Sequence, residues 1–329
     1  MNKYQNATPD GVRDILFEES SALTEIKSKV TKLFEDSGYA KIETPTMEFF
    51  DVFNRESCGI PFENMFKFTD RKGRLLVLRP DNTLAIARAS ASNFTDVNIP
   101  LKLYYSQKIF ISKPEFSGAF NEELQCGIEN FGFSDEDTDF EVLSLAIKSL
   151  SLLNDDFKLE IGNSAFFKAL VKNLNVDKTK SEKIRLCVEN KNFPALSEEL
   201  KTVENSRAKE YILKLPTMFG GEELIDEAMC ILPEDNQTSK ELTCLKNLYR
   251  RLKEEGYEDK ISFDLGLVHG INYYTGLVFR GYLTSSGLKV LSGGRYDKLL
   301  SEFGKDLSAI GFALEMNTIS DALLRRKNV

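Results

Sequence analysis

The chain of 329 residues is 42% apolar and 29% charged, the balance of a soluble globular protein with room for one sizeable domain and a smaller one. Its net charge is −8 and no stretch clusters Lys and Arg, which argues against a surface built to displace counterions from nucleic acid. No run of about 18 apolar residues exists, the opening MNKYQNATPDGVRD lacks a secretion-signal core, and the five cysteines show no CxxC spacing, so a cytosolic chain is expected, with no membrane span, disulfide framework or zinc site.

Residues 19–36, ESSALTEIKSKVTKLFED, set Leu23, Ile26, Val30, Leu33 and Phe34 on one face of a helix that Gly38 stops. KIETPTMEF follows, with Pro45 at the edge or end of a strand. In LLVLRPDNTLAIARASA (75–91) a strand breaks at Pro80 and a helix begins, capped by Asp81. Strands at about 101–111 and 123–131 pair antiparallel across SKPEFSGAFNE. FSDEDTDFEVLSLAIKSLSLL (133–153) is a helix and FKLEIGN (157–163) another strand. From about 165 to 258 the sequence turns charged and helical in pattern. ISFDLGLV, GLVFRGYL and LKVLSGG (261–294) return to strands, and 309–326 reads as a short strand entering a helix. Strands on both sides of a helical block predict an α+β core, residues 1–164 and 259–329, interrupted by a helical insertion at 165–258.

Within this frame ELQCGIENFG alternates: Leu124, Cys126 and Ile128 point one way, Gln125, Gly127 and Glu129 the other. ISFDLGLV repeats the pattern with Ser262, Asp264 and Gly266. Two polar faces with a glycine are either solvated, as antiparallel sheets allow, or share a concavity where missing side chains leave room for a ligand. Asp81 is a helix cap on propensity; beside such a pocket it would also meet an amine. SGGRYDKLL (292–300) reads as a glycine turn entering a helix, a place for an anion or merely a turn, without the spacing of a P-loop or dinucleotide loop. Tyr273 and Tyr274 read as neighbours packing on opposite faces of a strand, or as a pocket wall. With His269 the only histidine, a multi-histidine metal site and a triad using another histidine are excluded.

Together these pieces are more specific. PDGVRDIL, LRPDNTLAIAR, ELQCGIENFG, LVHGINYYTG and SGGRYDKL occur in the order found in histidyl-tRNA synthetases, and the chain resembles that family from about residue 7 to 316. The resemblance implies the class II aminoacyl-tRNA synthetase-like fold, an antiparallel sheet flanked by helices, dimerising through the N-terminal helix and the strand ending at Pro45. It implies a histidine pocket at Asp81, Thr83, Gln125, Glu129, Tyr273 and Tyr274. The chemistry suits that ligand: carboxylate and neutral acceptors for the ammonium, and Glu129 with a tyrosine hydroxyl for the two ring nitrogens. The family's glutamate in LRPEGT is Asp81 here, one methylene shorter.

Three departures follow. Motif 2, FRxER in the synthetases, is matched by FISKP with Ile111, Lys113 and Pro114. The arginine before the double tyrosine is His269, a candidate contact for the ligand's carboxylate. Motif 3 ends in GLER there and places Thr318 at the arginine here. Losing one stabilising donor costs about 10²–10³ in rate, so three lost arginines argue against adenylate formation, and Lys113 restores only part of the charge. No C-terminal anticodon-binding domain is expected. A core so altered resembles the ATP phosphoribosyltransferase regulatory subunits. That resemblance implies no catalysis and no cofactor or metal. It implies as partners L-histidine and a short-form ATP phosphoribosyltransferase catalytic subunit, activated and made sensitive to histidine within a hetero-octamer. The alternative is a synthetase-like ligase activating an amino acid with ATP; a tRNA-binding accessory subunit is a third reading.

Overall fold

The computed structural model describes residues 4–94, 100–114, 119–153, 156–230, 236–268 and 273–327. In chain order the elements begin with α1 (Phe17–Asp36), β1 (Ala40–Lys41), β2 (Met47–Phe49), β3 (Lys67–Thr69), β4 (Leu75–Leu78), α2 (Asn82–Asn93), β5 (Leu101–Phe110), β6 (Glu122–Phe131) and α3 (Glu136–Leu153). They continue with β7 (Phe157–Asn163), α4 (Ser164–Lys172), α5 (Lys178–Glu189), α6 (Phe193–Leu200), α7 (Arg207–Lys214), β8 (Phe219–Gly220), α8 (Glu222–Met229) and α9 (Asn236–Glu254). The last are β9 (Ile261–Asp264), β10 (Leu277–Leu283), β11 (Leu288–Arg295), β12 (Ala309–Glu315) and α10 (Met316–Lys327). The chain divides into two compact units: residues 1–133, 151–155 and 298–329 in the first, 134–150 and 156–297 in the second.

In the first unit β5 and β6 pair antiparallel along their whole length, β12 pairs antiparallel with the free side of β6, and β1 adds in parallel to β5. A separate small antiparallel sheet has the order β2-β4-β3. Of the five residues expected on the core face of α1, Ile26, Val30 and Phe34 are buried, and Leu23 and Leu33 are half-buried. The Phe34 ring meets those of Tyr104 and Phe312 at 6.1 and 5.8 Å, so α1 covers the face that also holds Cys126 and Ile128. Gly38, at φ +84°, takes the left-handed conformation that ends the helix region.

The opposite face carries polar side chains among apolar ones. Register puts Gln107, Gln125 and Glu315 in one row, Tyr105, Gly127 and Ala313 in the next, and Leu103, Glu129 and Gly311 in the third. Gly127 does not leave room for a ligand, as its pattern suggested. A Cβ there would lie 2.5 Å from the Tyr105 hydroxyl and 2.3 Å from the Phe312 carbonyl oxygen, so Tyr105 already fills the space. Gly127→Ala is therefore expected to destabilise the chain by about 1–3 kcal/mol, read as a lower denaturant midpoint, because a backbone carbonyl cannot step aside.

The second unit is built around β7, which pairs antiparallel with β10 and parallel with β9; β11 lies beyond β10 and β8 beyond β9. Pairing is thus mixed in each unit, with β1–β5 parallel in the first and β7–β9 parallel in the second. Helices α4 to α9 occupy the charged stretch, and several open on side-chain caps: Asn163 accepts from Ala165 N–H at 2.8 Å and Asp177 from Lys180 N–H at 2.8 Å. Two sequence readings fail here for local reasons. β9 stops at Asp264 because its buried carboxylate accepts the Gly266 N–H at 2.8 Å, turning the chain, with Lys191 Nζ 3.2 Å away. Gly293 and Gly294 lie inside β11, not in a turn, and only a short 3₁₀ segment at Leu300–Phe303 follows. A Cβ on Gly294 would sit 2.6 Å from the Tyr274 ring, so the glycine lets a tyrosine lie flat against the strand.

Among the described residues no helix is long and apolar enough to cross a membrane, and no group of three or more His, Cys, Asp or Glu side chains could hold a metal ion.

Candidate functional site

The two groups of candidate residues fall in different units. Asp81, Thr83, Gln125 and Glu129 belong to the first, Tyr273 and Tyr274 to the second. His269 lies outside the described residues.

In the first unit the site starts from the break at Pro80. β4 ends at Leu78, and Arg79, only 3% exposed, fixes the turn. Its guanidinium donates to the carbonyls of Thr44, Pro45 and Lys108, each at 2.8 Å, and to the Thr44 hydroxyl at 3.2 Å. Asp81 then caps α2, accepting from Leu84 N–H at 2.7 Å as its sequence predicts. Burial pushes its pKa up to about 6, against the pull of the Leu84 and Thr83 N–H groups and Arg79. In the first turn of α2 the Thr83 hydroxyl donates to Glu129 Oε1 at 2.7 Å. Glu129 is 1% exposed, and burial holds its pKa well above the ordinary carboxylate range; the Thr83 bond opposes this and Asp81 adds to it. Two neighbouring carboxyl groups that resist ionisation make an arrangement that welcomes a positively charged or N–H-bearing ligand.

Two residues that the sequence reading passed over complete this half. Asn82, the unassigned position in LRPDNT, is 1% exposed and donates to Gln125 Oε1 at 3.1 Å and to the Gln107 carbonyl at 3.4 Å. Gln107, in the same row as Gln125, is buried and accepts from Thr44 N–H at 2.7 Å. Their signal in the sequence is only an amide at each of two positions otherwise read as helix start and strand.

In the second unit Tyr273 and Tyr274 precede β10, and of the two readings left open the one with strand residues on opposite faces fails: their rings touch edge to face at 4.9 Å. Tyr296, from the GGRYD stretch, joins them at 5.4 and 6.4 Å, and all three are buried. The Tyr274 carbonyl accepts from Lys168 Nζ at 2.6 Å and Ser164 Oγ at 3.2 Å, and Thr275 N–H donates to the Arg295 carbonyl at 2.7 Å. Arg295 is itself neutralised by Asp139 and Asp297, so the GGRYD segment offers no free cation for an anion. Tyr296 could have been found from its place in a motif already noted, but it was treated there as part of a turn.

The positions of the lost arginines are also informative. Lys113 donates its N–H to Asn121 Oδ1 at 2.7 Å. Thr318 lies in the first turn of α10, where a helix terminus presents free N–H groups to anions. That terminus is occupied by this chain's own carboxylate: Glu123 accepts from Asn317 N–H at 2.9 Å and from the Thr318 N–H. Burial, with Glu315 nearby, raises the Glu123 pKa to about 7.

Comparison with known proteins agrees with this architecture. The structure of a histidine–tRNA ligase subunit from Alicyclobacillus acidocaldarius is similar at TM-score 0.82 and 23% identity, covering 97% of this chain and 98% of that one, which places the fold in the class II synthetase type. The profile of the histidyl-tRNA synthetase family matches residues 11–319. An ATP phosphoribosyltransferase regulatory subunit from Bacillus cereus is 38% identical over 98% of this chain and 77% of its own length. A crystal structure described as an ATP phosphoribosyltransferase regulatory subunit/histidyl-tRNA synthetase from Bacillus halodurans matches at TM-score 0.89 and 32% identity, over 97% of this chain and 84% of that one. The chain belongs to the histidyl-tRNA synthetase-related family that includes the ATP phosphoribosyltransferase regulatory subunits.

Proposed function

We propose that the chain is a non-catalytic regulatory subunit of ATP phosphoribosyltransferase, acting in histidine biosynthesis in the cytoplasm. It binds L-histidine through Asp81, Thr83, Gln125, Glu129, Tyr273 and Tyr274, and its occupancy inhibits a short-form catalytic subunit that it otherwise activates. The assembly is a hetero-octamer containing homodimers of this chain, with residues 165–258 an insertion into the synthetase-like core. The observation that carries the ligand reading is the Thr83–Glu129 pair, a buried carboxyl of raised pKa held in place by a hydroxyl. A neutral Glu129 can accept an imidazole N–H, and an ionised one can meet an imidazolium.

The ligase alternative requires fixed positive charge for ATP's phosphates. What supports the non-catalytic reading is the reverse arrangement at α10, where Glu123 occupies a helix terminus otherwise open to an anion. The deciding experiment is ATP phosphoribosyltransferase activity of a short-form catalytic subunit, with and without this chain, across a histidine titration. Activation by the chain, reversed by histidine, is expected. No activation after confirmed mixing of the subunits would overturn the proposal, and ATP–pyrophosphate exchange by the chain alone would favour the ligase.

A further inference from the structure

The stretch that joins β9 to β10 carries Tyr273 and Tyr274, and the helical insertion grips its described residues at both ends. At the β9 end three contacts converge. Leu265 N–H donates to the Met218 carbonyl at 3.0 Å. A Cβ on Gly266 would lie 2.5 Å from the Leu215 carbonyl oxygen, so main chain runs directly against main chain there. Lys191, between α5 and α6, sets its Nζ 3.2 Å from the Asp264 carboxylate that turns the chain onto Gly266. At the β10 end, Lys168 Nζ from α4 and the Ser164 hydroxyl share the Tyr274 carbonyl. Ser164 N–H adds a bond to the Gly276 carbonyl at 2.9 Å.

The two lysines are the side-chain grips that the insertion itself supplies. Lys191 follows the Asn190 cap of α5 with φ +50°, a left-handed position where glycine is the usual residue. A lysine there carries a backbone cost, and its ammonium reaches a partner that is only 2% exposed. A carboxylate so shielded from water attracts a cation more strongly than a surface carboxylate does. Lys168 brings a full charge to a main-chain carbonyl, a stronger bond than a neutral donor would make. A ring can be no better placed than the main chain that bears it, and here that main chain is fixed from outside its own strands.

We infer that the helical insertion positions the tyrosine wall, with Lys168 and Lys191 as its positioning residues, so that a displacement of the insertion is felt at the ligand as a change in affinity. The coupling runs both ways, and an occupant of the wall biases the insertion in turn. This rests on the reading that Tyr273 and Tyr274 bind L-histidine, and it gives the insertion a part in that binding through residues outside the ligand's own contacts.

The test is calorimetric titration of the full chain with L-histidine, with a thermal melt of every variant. Lys168→Met and Lys191→Gly are each expected to weaken L-histidine by about fivefold or more. Lys168→Arg should stay within about twofold of wild type, since a guanidinium still donates to the Tyr274 carbonyl. Glycine suits the left-handed backbone at 191, so the loss there reports the missing ammonium and not strain at the helix end. Lys183→Met, on α5 but facing Glu199 at 3.9 Å, is the control and should leave affinity unchanged. If Lys191→Gly strands Asp264 and unfolds the chain, adding Asp264→Asn removes the charge and keeps an acceptor for the Gly266 N–H; the same loss of affinity is expected. A lower melting temperature with wild-type affinity in the folded variants of either lysine would overturn the inference and leave the histidine reading standing. An equal loss in Lys183→Met would overturn it too, because net charge alone would then explain the effect. Failure of wild-type protein to bind L-histidine would overturn that reading, and the inference with it.

Discussion

Arg79→Leu is expected to unfold the chain more readily than any other single substitution considered, by about 3–5 kcal/mol. The guanidinium is buried and anchors three separate backbone carbonyls, those of Thr44, Pro45 and Lys108. Leucine fills some of the volume but leaves these acceptors without donors, and each buried carbonyl so stranded costs on the order of 1 kcal/mol or more. Arg79→Lys should recover only part of the loss, because one ammonium cannot span the fork-shaped set. Denaturant titration of both variants checks this. A leucine variant as stable as wild type would mean that the carbonyls find other partners, and the turn that positions Asp81 would need another explanation.

Glu129→Gln should have the largest effect on ligand binding. Removing the carboxyl that meets the imidazole is expected to weaken L-histidine by about 30-fold or more and to relieve feedback in the assembled enzyme. The same substitution has an effect without ligand, of opposite sign. An unfolded Glu129 ionises near 4.5, whereas burial raises its folded pKa well above that. Between those two values the folded chain keeps a proton that the unfolded chain has released, so this residue's contribution to stability falls as pH rises through the window. Glutamine cannot ionise. The variant should therefore lose less stability than wild type between pH 5 and 8, while Asp81 and Glu123, also raised, retain their share of the slope. Thermal melts across that range, together with histidine titrations, separate the two effects. Unchanged feedback in the variant would count against this site.

Much of this was legible because it is local. The apolar stripe of α1 and the Asp81 cap follow from spacing and cap chemistry, and β6 announces itself by alternation. What was illegible depends on partners distant in sequence. Gly127 looks like an opening until Tyr105 is placed over it, and Gly294 looks like a turn until Tyr274 is laid against β11. Asp264 continues an alternating pattern by letter, yet it ends the strand by folding back onto Gly266. Glu123 gives no sequence hint that it caps a helix nearly 200 residues later, since no local signal links β6 to α10. Asn82 and Gln107 were missed because an amide near a helix start or within a strand is ordinary until its burial is known.

The polar groups of the first unit are held in position by the chain's own atoms. Leu84 fixes Asp81, Thr83 fixes Glu129, and Thr44 fixes Gln107. A molecule entering such a frame has little side-chain freedom to remove, so binding there carries a small conformational-entropy penalty. The shape of this region is set beforehand, and what an occupant can most readily change is the ionisation of Asp81 and Glu129. Any message leaving this part of the chain would then begin as a rearrangement of charge.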